Sequence, residues 1–461
     1  MNREETIMTI TNEQAIEATK ASPHQKVKVA ITDIDGVLRG KYINKEKFLS
    51  ATRSGFGFCN VVFGWDSADV CYDNCTYTGW HTGYPDAEAH LDLSTMRKIP
   101  WENNIPFFLG DFVDSAGKAL LACPRQILKK IETDLQAEGY DSKIGVEFEW
   151  FNFKENPASI HEKEFTKLES LTPGMFGYSV LRSSQNHQFF HDIMDKLSLF
   201  RVPIEGLHTE TGPGVFEAAI LCDRALEAAD RAVLFKSGVK EIAHRHQIIS
   251  TFMARWNTDL PGCSGHIHQS LIDIKSNENA FYDANNTHKM SSIFESYLAG
   301  LLQVLPEILP MLAPTINSYK RLVEGFWAPT RANWGIDNRT TAFRVIPGSS
   351  KSTRLECRVG GSDINPYLGV AACLGAGLHG IRNKLKLTEP AIQGNGYTQT
   401  IGTKLPSSLE EASIKMSQSS VAKEIFGSEF VEHLCNSRLW ECQEAKAAVT
   451  DWELKRYFEI I

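Results

Sequence analysis

Glu147 and Glu149 stand two apart in the apolar run GVEFEWF, so both carboxylates leave the same face of an extended strand. Two like charges placed side by side call for a cation. Glu210 and Glu217 flank a Thr-Gly-Pro-Gly turn, which folds the chain back and lets carboxylates seven residues apart converge. His266 and His268 share a strand face in GHIHQS, and Arg354, Glu356 and Arg358 share another in TRLECRV. The stretch YKRLVEGFWAPTRANWGIDNRTTAFRV sets Arg321, Arg331, Arg339 and Arg344 among Phe326, Trp327, Trp334 and Phe343. Each motif alone has a plainer account: the wet face of an edge strand, a glutamate opening a helix at Glu217, a structural histidine, a cross-strand ladder of ion pairs. Together they make an oxygen-rich ligand set with imidazole, which suits Mg²⁺ or Mn²⁺ rather than zinc, beside guanidinium forks that suit a phosphoryl group. The chemistry this points to is metal-assisted phosphoryl transfer. Neither the G-x-x-x-x-G-K-[ST] phosphate loop nor the kinase glycine-rich loop occurs, so the common nucleotide folds are excluded.

The elements that must position these groups read as a mixed α+β chain. With 461 residues, 42% apolar, the chain is long enough for two domains. KVKVAITDIDGVLRG alternates up to a turn at Asp35-Gly36, and a second extended run, GKYINKEKF, predicts a hairpin in a small sheet. Residues 73–90 read as a loop, and PRQILKKIETDLQAE over 124–138 as a helix opened by proline. A boundary near 122 divides an N-terminal extension, 1–25, and a small domain, 26–122, from a larger one, 123–461. In the latter, strand-like KIGVEFEWFNF, CSGHIHQSL and STRLECRV alternate with helical patterns at 187–200, 220–237, 291–312 and 365–385. Residues 386–410 are turn-rich, and a helical segment from 439 closes the chain. A formal charge of −8 argues against a general nucleic-acid or acidic-membrane binder, so any anion site is local. The longest apolar run is broken by Glu307, Pro306, Pro310 and Pro314, and no secretory signal is read at the N-terminus; the cytoplasm is the expected location. The ten cysteines lack paired spacing and carry no zinc or disulfide expectation.

In their order and spacing, VEFEW, ETGPGVFE, GHIHQS, NSYKRLVEGFWAPTRANWGIDNRT and RLECRVGGSDINPYL resemble the glutamine synthetase family, from about residue 28 to the C-terminus. The resemblance implies a β-grasp-like N-terminal domain and a catalytic domain on a curved antiparallel sheet surrounded by helices. It also implies rings of subunits, a dodecamer by expectation, with active sites between neighbours. Such enzymes use ATP to phosphorylate the γ-carboxylate of glutamate and let an amine displace the phosphate. Carried over by motif, Glu149, Glu210 and Glu217 correspond to the ligands of one metal, and Glu147, His266 and Glu356 to those of a second. Mg²⁺ or Mn²⁺, two or more per site, is the implied cofactor. Arg321, Arg358 and Gly262 fall on the glutamate side, Arg339 and Arg344 at the transferred phosphoryl group, and His268, Ser270, Lys351 and Arg354 on the ATP side.

The amine side departs from the family pattern. Ammonia-using members carry Glu in the flap where EGFWAP has Trp327, and Asp followed by Gly-Ser-Ser where the counterpart here is GWDSADV, keeping only Asp66. Pro261 replaces a common Asn beside Gly262. A neutral indole offers apolar area and a π face, which favours an organic amine over ammonium. The expected activity is therefore ATP-dependent ligation of glutamate to an alkyl, poly- or aromatic amine, with Asp66 orienting the amine or taking its proton. An ammonia-using synthetase and a non-catalytic relative are the alternatives. Arg331 receives no role.

Overall fold

The computed structural model describes residues 10–114 and 116–461. Of the expected extension, residues 1–9 lie outside the described residues. Thr11 and Gln14 form a reciprocal capping box that opens a helix over Asn12–Lys20, and its Ala15 is buried in the apolar core of the first sheet.

That sheet has five strands, β1 (Lys26–Thr32), β2 (Leu38–Asn44), β3 (Phe56–Cys59), β4 (Asp86–Ile99) and β5 (Ile105–Val113), in the order β2-β1-β5-β4-β3. The expected hairpin forms: β1 pairs antiparallel with β2 from Lys26↔Asn44 to Thr32↔Leu38, around a turn where Gly36 takes φ +79°. Its second strand is shorter than the sequence pattern implies. Asn44 accepts the N–H of Lys47 at 2.7 Å and caps a helix over Lys45–Ser54, so KEKF is helical. The segment expected as a loop over 73–90 ends earlier, since β4 begins at Asp86.

The second sheet carries the candidate site. Its strands are β6 (Tyr140–Phe153), β7 (Ile204–Thr209), β8 (Val215–Ile220), β9 (Ile249–Thr251), β10 (Gly265–Asp273), β12 (Trp334–Ile336), β13 (Phe343–Ile346) and β14 (Arg354–Cys357). They lie in the order β12-β13-β14-β10-β6-β8-β7, with β9 on β6; all pairs are antiparallel except β12 with β13. β11 (Arg331–Ala332) and β15 (Thr403–Lys404) form a separate ribbon. In the middle of β6 the alternation is clean: Val146, Phe148 and Trp150 are buried, while Glu147 and Glu149 point to the other face. Phe148 and Trp150 pack on Phe235 of the helix Ala225–Arg245, at ring separations of 6.1 and 5.5 Å.

Two helical expectations move. VFEAAI is strand β8 rather than the start of a helix, because its backbone is paired on both sides by β6 and β7; the helix opens only at Ala225 and runs to Arg245. Glu217 is therefore a strand residue and caps nothing. The helix Ser292–Val304 stops where Pro306 and Pro310 convert the chain to two 3₁₀ turns, Leu305–Glu307 and Leu309–Met311. The helices at His187–Leu199, Pro124–Ala137 and Pro366–Arg382 stand close to their expected spans, and the C-terminal helices are Ser428–Ala447 and Asp451–Tyr457.

The two sheets are tied by buried ions. Arg125 donates to Asp230 at 2.8 Å, to Asp111 of β5 at 2.7 Å and to Asp92 of β4 at 2.9 Å, which joins the first sheet to the helix beneath the second. Arg438 of the C-terminal helix meets Asp35 of the β1–β2 turn at 2.6 Å. Among the described residues, no helix is long and apolar enough to cross a membrane.

Candidate active site

Strand register alone brings most of the chemistry-bearing side chains into one row. His208 of β7 faces Glu217 of β8, Glu217 faces Glu149 of β6, and Glu147 of β6 faces His266 of β10. Further along, His268 of β10 faces Glu356 of β14, which faces Arg344 of β13. Directly opposed residues on one face of a sheet have Cβ atoms about 5 Å apart, so the row is a continuous ionic surface.

This surface floors a cleft of about 620 Å³. Glu147, Glu149, Glu210, Glu217, His266, His268, Glu356, Arg339, Arg344, Arg354, Arg358, Gly262 and Trp327 all line it, thirteen of the residues singled out from the sequence. A smaller adjoining cleft of about 270 Å³ holds His268, Ser270, Lys351 and Arg354, the four residues expected on the ATP side.

Two sequence-derived residues lie elsewhere. Arg321 sits behind the cleft, 2% exposed, and donates to the carbonyls of Val359 (2.9 Å) and Arg358 (3.3 Å) and to the Ser264 hydroxyl (2.9 Å). Asp66 does not reach the cleft of its own chain. Its carboxylate accepts the N–H groups of Ala68 (2.8 Å) and Val70 (3.0 Å) and the indole N–H of Trp440 (3.0 Å). Arg331 donates to the carbonyls of Thr400 and Gly402 and holds the β11–β15 ribbon.

The acids form two groups that could each hold a cation. Ligand atoms of Glu147, His266 and Glu356 lie within 4.8 Å of one another, as do those of His208, Glu210 and Glu217. The first group matches the expected set. In the second, His208 stands where Glu149 was expected, while Glu149 turns one oxygen to the N–H of Ser264 at 2.7 Å. The donor chemistry fits divalent metals: Oε2 of Glu210 and Nε2 of His266 are buried without a hydrogen-bond partner. Burial first, and then the neighbouring Glu217, push the Glu149 carboxyl up to about 8. In the other group, burial would raise the acids, but His266 and His268 hold Glu147 low, and His266 and Arg358 hold Glu356 at about 2. Burial and the Arg358 charge lower His266, favouring the neutral imidazole that a metal requires.

The guanidinium groups differ in how far they are committed. Arg344 donates to Glu356 at 3.0 Å and to Asp337 at 2.6 Å; Arg358 donates to Glu356 at 2.5 Å and to the Arg339 carbonyl at 3.0 Å. Arg339 is exposed in the cleft and makes no side-chain ion pair among the described residues.

The sequence reading missed His208 and Tyr178. Their rings stack at 4.3 Å with 7° between planes, and both line the cleft. His208 was within reach, since it precedes Glu210 by two in the alternating run IEGLHTE and so shares its face. Tyr178 sits in a turn with φ +54°, anchored by its N–H on the Thr209 carbonyl at 2.7 Å; no periodicity announces it. Trp327 also holds a left-handed backbone, φ +59°, in the turn after Gly325, an uncommon conformation for a bulky side chain.

Known proteins resemble this chain over most of its length. The profile described as "Glutamine synthetase, catalytic domain" matches residues 121–457. The "Type-1 glutamine synthetase 2" of Dictyostelium discoideum is 52% identical over 445 residues, covering 96% of this chain and 85% of that protein. The "Glutamate--isopropylamine ligase" of a Pseudomonas species is 37% identical over 438 residues, 94% of this chain and 95% of that one. A solved structure described as "GmaS/ADP complex-Conformation 1" superposes with a TM-score of 0.84 over 98% of this chain and all of that one, at 24% identity, which speaks to the fold. The chain belongs to the glutamine synthetase family, a family of ATP-dependent ligases.

Proposed function

We propose that this protein joins the γ-carboxylate of glutamate to the nitrogen of an organic amine at the expense of ATP. Trp327 carries this reading: it lines the cleft with 53% of its surface exposed, at the flap position where the family resemblance calls for an acid. The 37% identity to an isopropylamine ligase points the same way.

ATP enters on the side of His268, Ser270, Lys351 and Arg354, and glutamate on the side of Gly262 and Arg358, with Arg321 bracing that wall from behind through the Val359 and Arg358 carbonyls. A γ-carboxylate oxygen attacks the γ-phosphorus; the new O–P bond forms as the bond to the β,γ-bridging oxygen breaks and ADP leaves. Arg339 and Arg344 face the phosphoryl oxygens and offset their charge. The amine nitrogen then attacks the acyl carbon, the C–O bond breaks, inorganic phosphate leaves, and the nitrogen sheds its proton. Glu149, His208, Glu210 and Glu217 would hold one divalent cation and Glu147, His266 and Glu356 another. These cations neutralise phosphate charge when bound. The domains divide at 122, and the chain works in the cytoplasm as a ring in which Asp66, held by Trp440, serves the cleft of a neighbouring subunit.

The 52% identity to a protein named glutamine synthetase favours a second reading, in which ammonia is the nitrogen donor. Phosphate release dependent on ATP and glutamate, measured with ammonium, methylamine, ethanolamine, putrescine and aniline, separates the two. The proposal expects an organic amine to give the highest kcat/KM; a far higher value with ammonium contradicts it.

A further inference from the structure

We propose that Asp337 is a positioning residue for phosphoryl transfer: it fixes the Arg344 guanidinium so that its free N–H groups meet the phosphoryl group in flight. The inference rests on the role given to Arg344 above and adds the group that acts through it.

Arg344 lies on β13, and its side chain, 13% exposed, reaches the cleft. A long, flexible side chain stabilises a transition state best when it is already held where charge develops. Two carboxylates hold this one. Asp337 Oδ1 accepts its Nε at 2.9 Å and its Nη2 at 2.6 Å, and Glu356 Oε2 accepts its Nη1 at 3.0 Å. Three of the five N–H groups of the guanidinium are thereby used, and two remain for an anion.

The two carboxylates are not equivalent. Glu356 is shared, because it also accepts Arg358 at 2.5 Å and stands in one group of ligand atoms with Glu147 and His266. Asp337 serves Arg344 alone: among the described residues it accepts from no other side chain, and it stays outside the cleft wall. The local backbone is arranged for this. Asp337 takes a left-handed φ of +47°, which Asp and Asn tolerate better than other side chains. Its N–H donates to the Val345 carbonyl at 2.8 Å, which ties it to the residue next to Arg344. The chain can fold back there because the residue in register with Arg344 is glycine: a Cβ on Gly335 would come within 2.8 Å of the Asn338 Cβ. Asn338 then pins the turn, donating to the Gly394 carbonyl at 2.9 Å and accepting the Thr340 N–H at 2.9 Å. Arg339 follows directly, exposed to the cleft. One turn thus presents the first of the two arginines assigned to the phosphoryl group and anchors the second.

The test measures ATP- and glutamate-dependent phosphate release by the full chain with Mg²⁺ and saturating n-butylamine, and in parallel with ammonium. The variants are Asp337→Gly and Asp337→Asn. Both tolerate the left-handed backbone; glycine removes the carboxylate, and asparagine keeps a neutral acceptor. The expected kcat is about tenfold lower in Asp337→Gly and about threefold lower in Asp337→Asn. KM for ATP and for glutamate should stay within about twofold of the parent, since a contact realised during transfer is lost from kcat. An unchanged kcat in Asp337→Gly overturns the inference. A turn that had merely come loose would lower kcat whatever stands at position 344. In an Arg344→Gln chain, Asp337→Gly should therefore change kcat by less than about twofold, and a second tenfold loss there overturns the positioning role. If Arg344→Gln alone leaves kcat unchanged, the phosphoryl role of Arg344 falls and this inference falls with it. No phosphate release by the parent chain with either nitrogen donor contradicts the ligase reading and this inference together.

Discussion

Trp327 and Glu149 line the same cleft with opposite electrostatic character, a neutral indole and a buried carboxyl. Glu149 is held where its charge is opposed, with the carboxyl raised to about 8 by burial and Glu217. Such a group serves a bound cation better than it serves the folded apoprotein. Glu149→Gln should therefore lower phosphate release at least about 100-fold, while raising the melting temperature of the chelator-treated protein by a few degrees. A thermal melt beside the activity assay checks both, and turnover retained in the variant removes Glu149 from the site. Trp327 makes the opposite wager. Placing an acid there, Trp327→Glu, restores a negative charge near the incoming nitrogen. The ratio of ammonium to alkylamine kcat/KM should rise at least about tenfold, the scale of one ion–dipole or charge contact in a partly buried site. A ratio that does not move separates Trp327 from amine choice.

At the scale of elements, what was legible followed from periodicity. Two-residue spacing placed Glu147 with Glu149 and His266 with His268 on single faces, and strand pairing then aligned those faces. VFEAAILC was harder, since a short apolar run fits a strand or a buried helix, and only pairing with β6 and β7 decides it. Tyr178 could not be found this way, because its place depends on a turn bonded to Thr209, thirty-one residues on. Nor could the burial of Arg321, whose guanidinium is spent on backbone carbonyls that organise the glycine-rich strand ends. Gly262 shows how tight that organisation is. A Cβ there would press on the Ala254 carbonyl and on the Arg321 side chain. Gly262→Ala should raise KM for glutamate several-fold through displacement of Arg321, with KM for ATP little changed. Equal glutamate kinetics in variant and parent would show that this contact yields freely.

At the scale of the whole molecule, the two sheets meet through charged turns. Neither partner of these ion pairs could be matched from sequence spacing, because Asp35 and Arg438 stand at opposite ends of the chain. Asp33, 2% exposed in the same turn as Asp35, has its carboxyl pushed up to about 7 by burial and by Asp35, against the opposing pull of Arg39. An acid whose folded value is raised contributes stability that is complete below its unfolded value, near pH 4, and lost as pH rises through 7. Asp33→Asn should therefore flatten the fall in stability between about pH 4 and 7, by up to about 1.4 kcal/mol per pH unit where one proton is exchanged. Denaturant midpoints across that range read the slope, and parallel curves would assign the pH dependence elsewhere. Equal concentrations of ammonium and n-butylamine in one vessel, with glutamate, Mg²⁺ and ATP, compete for the same acyl phosphate, and mass spectrometry of the products gives their ratio directly. γ-Glutamylbutylamide in large excess over glutamine is the predicted result, and glutamine as the major product contradicts the account.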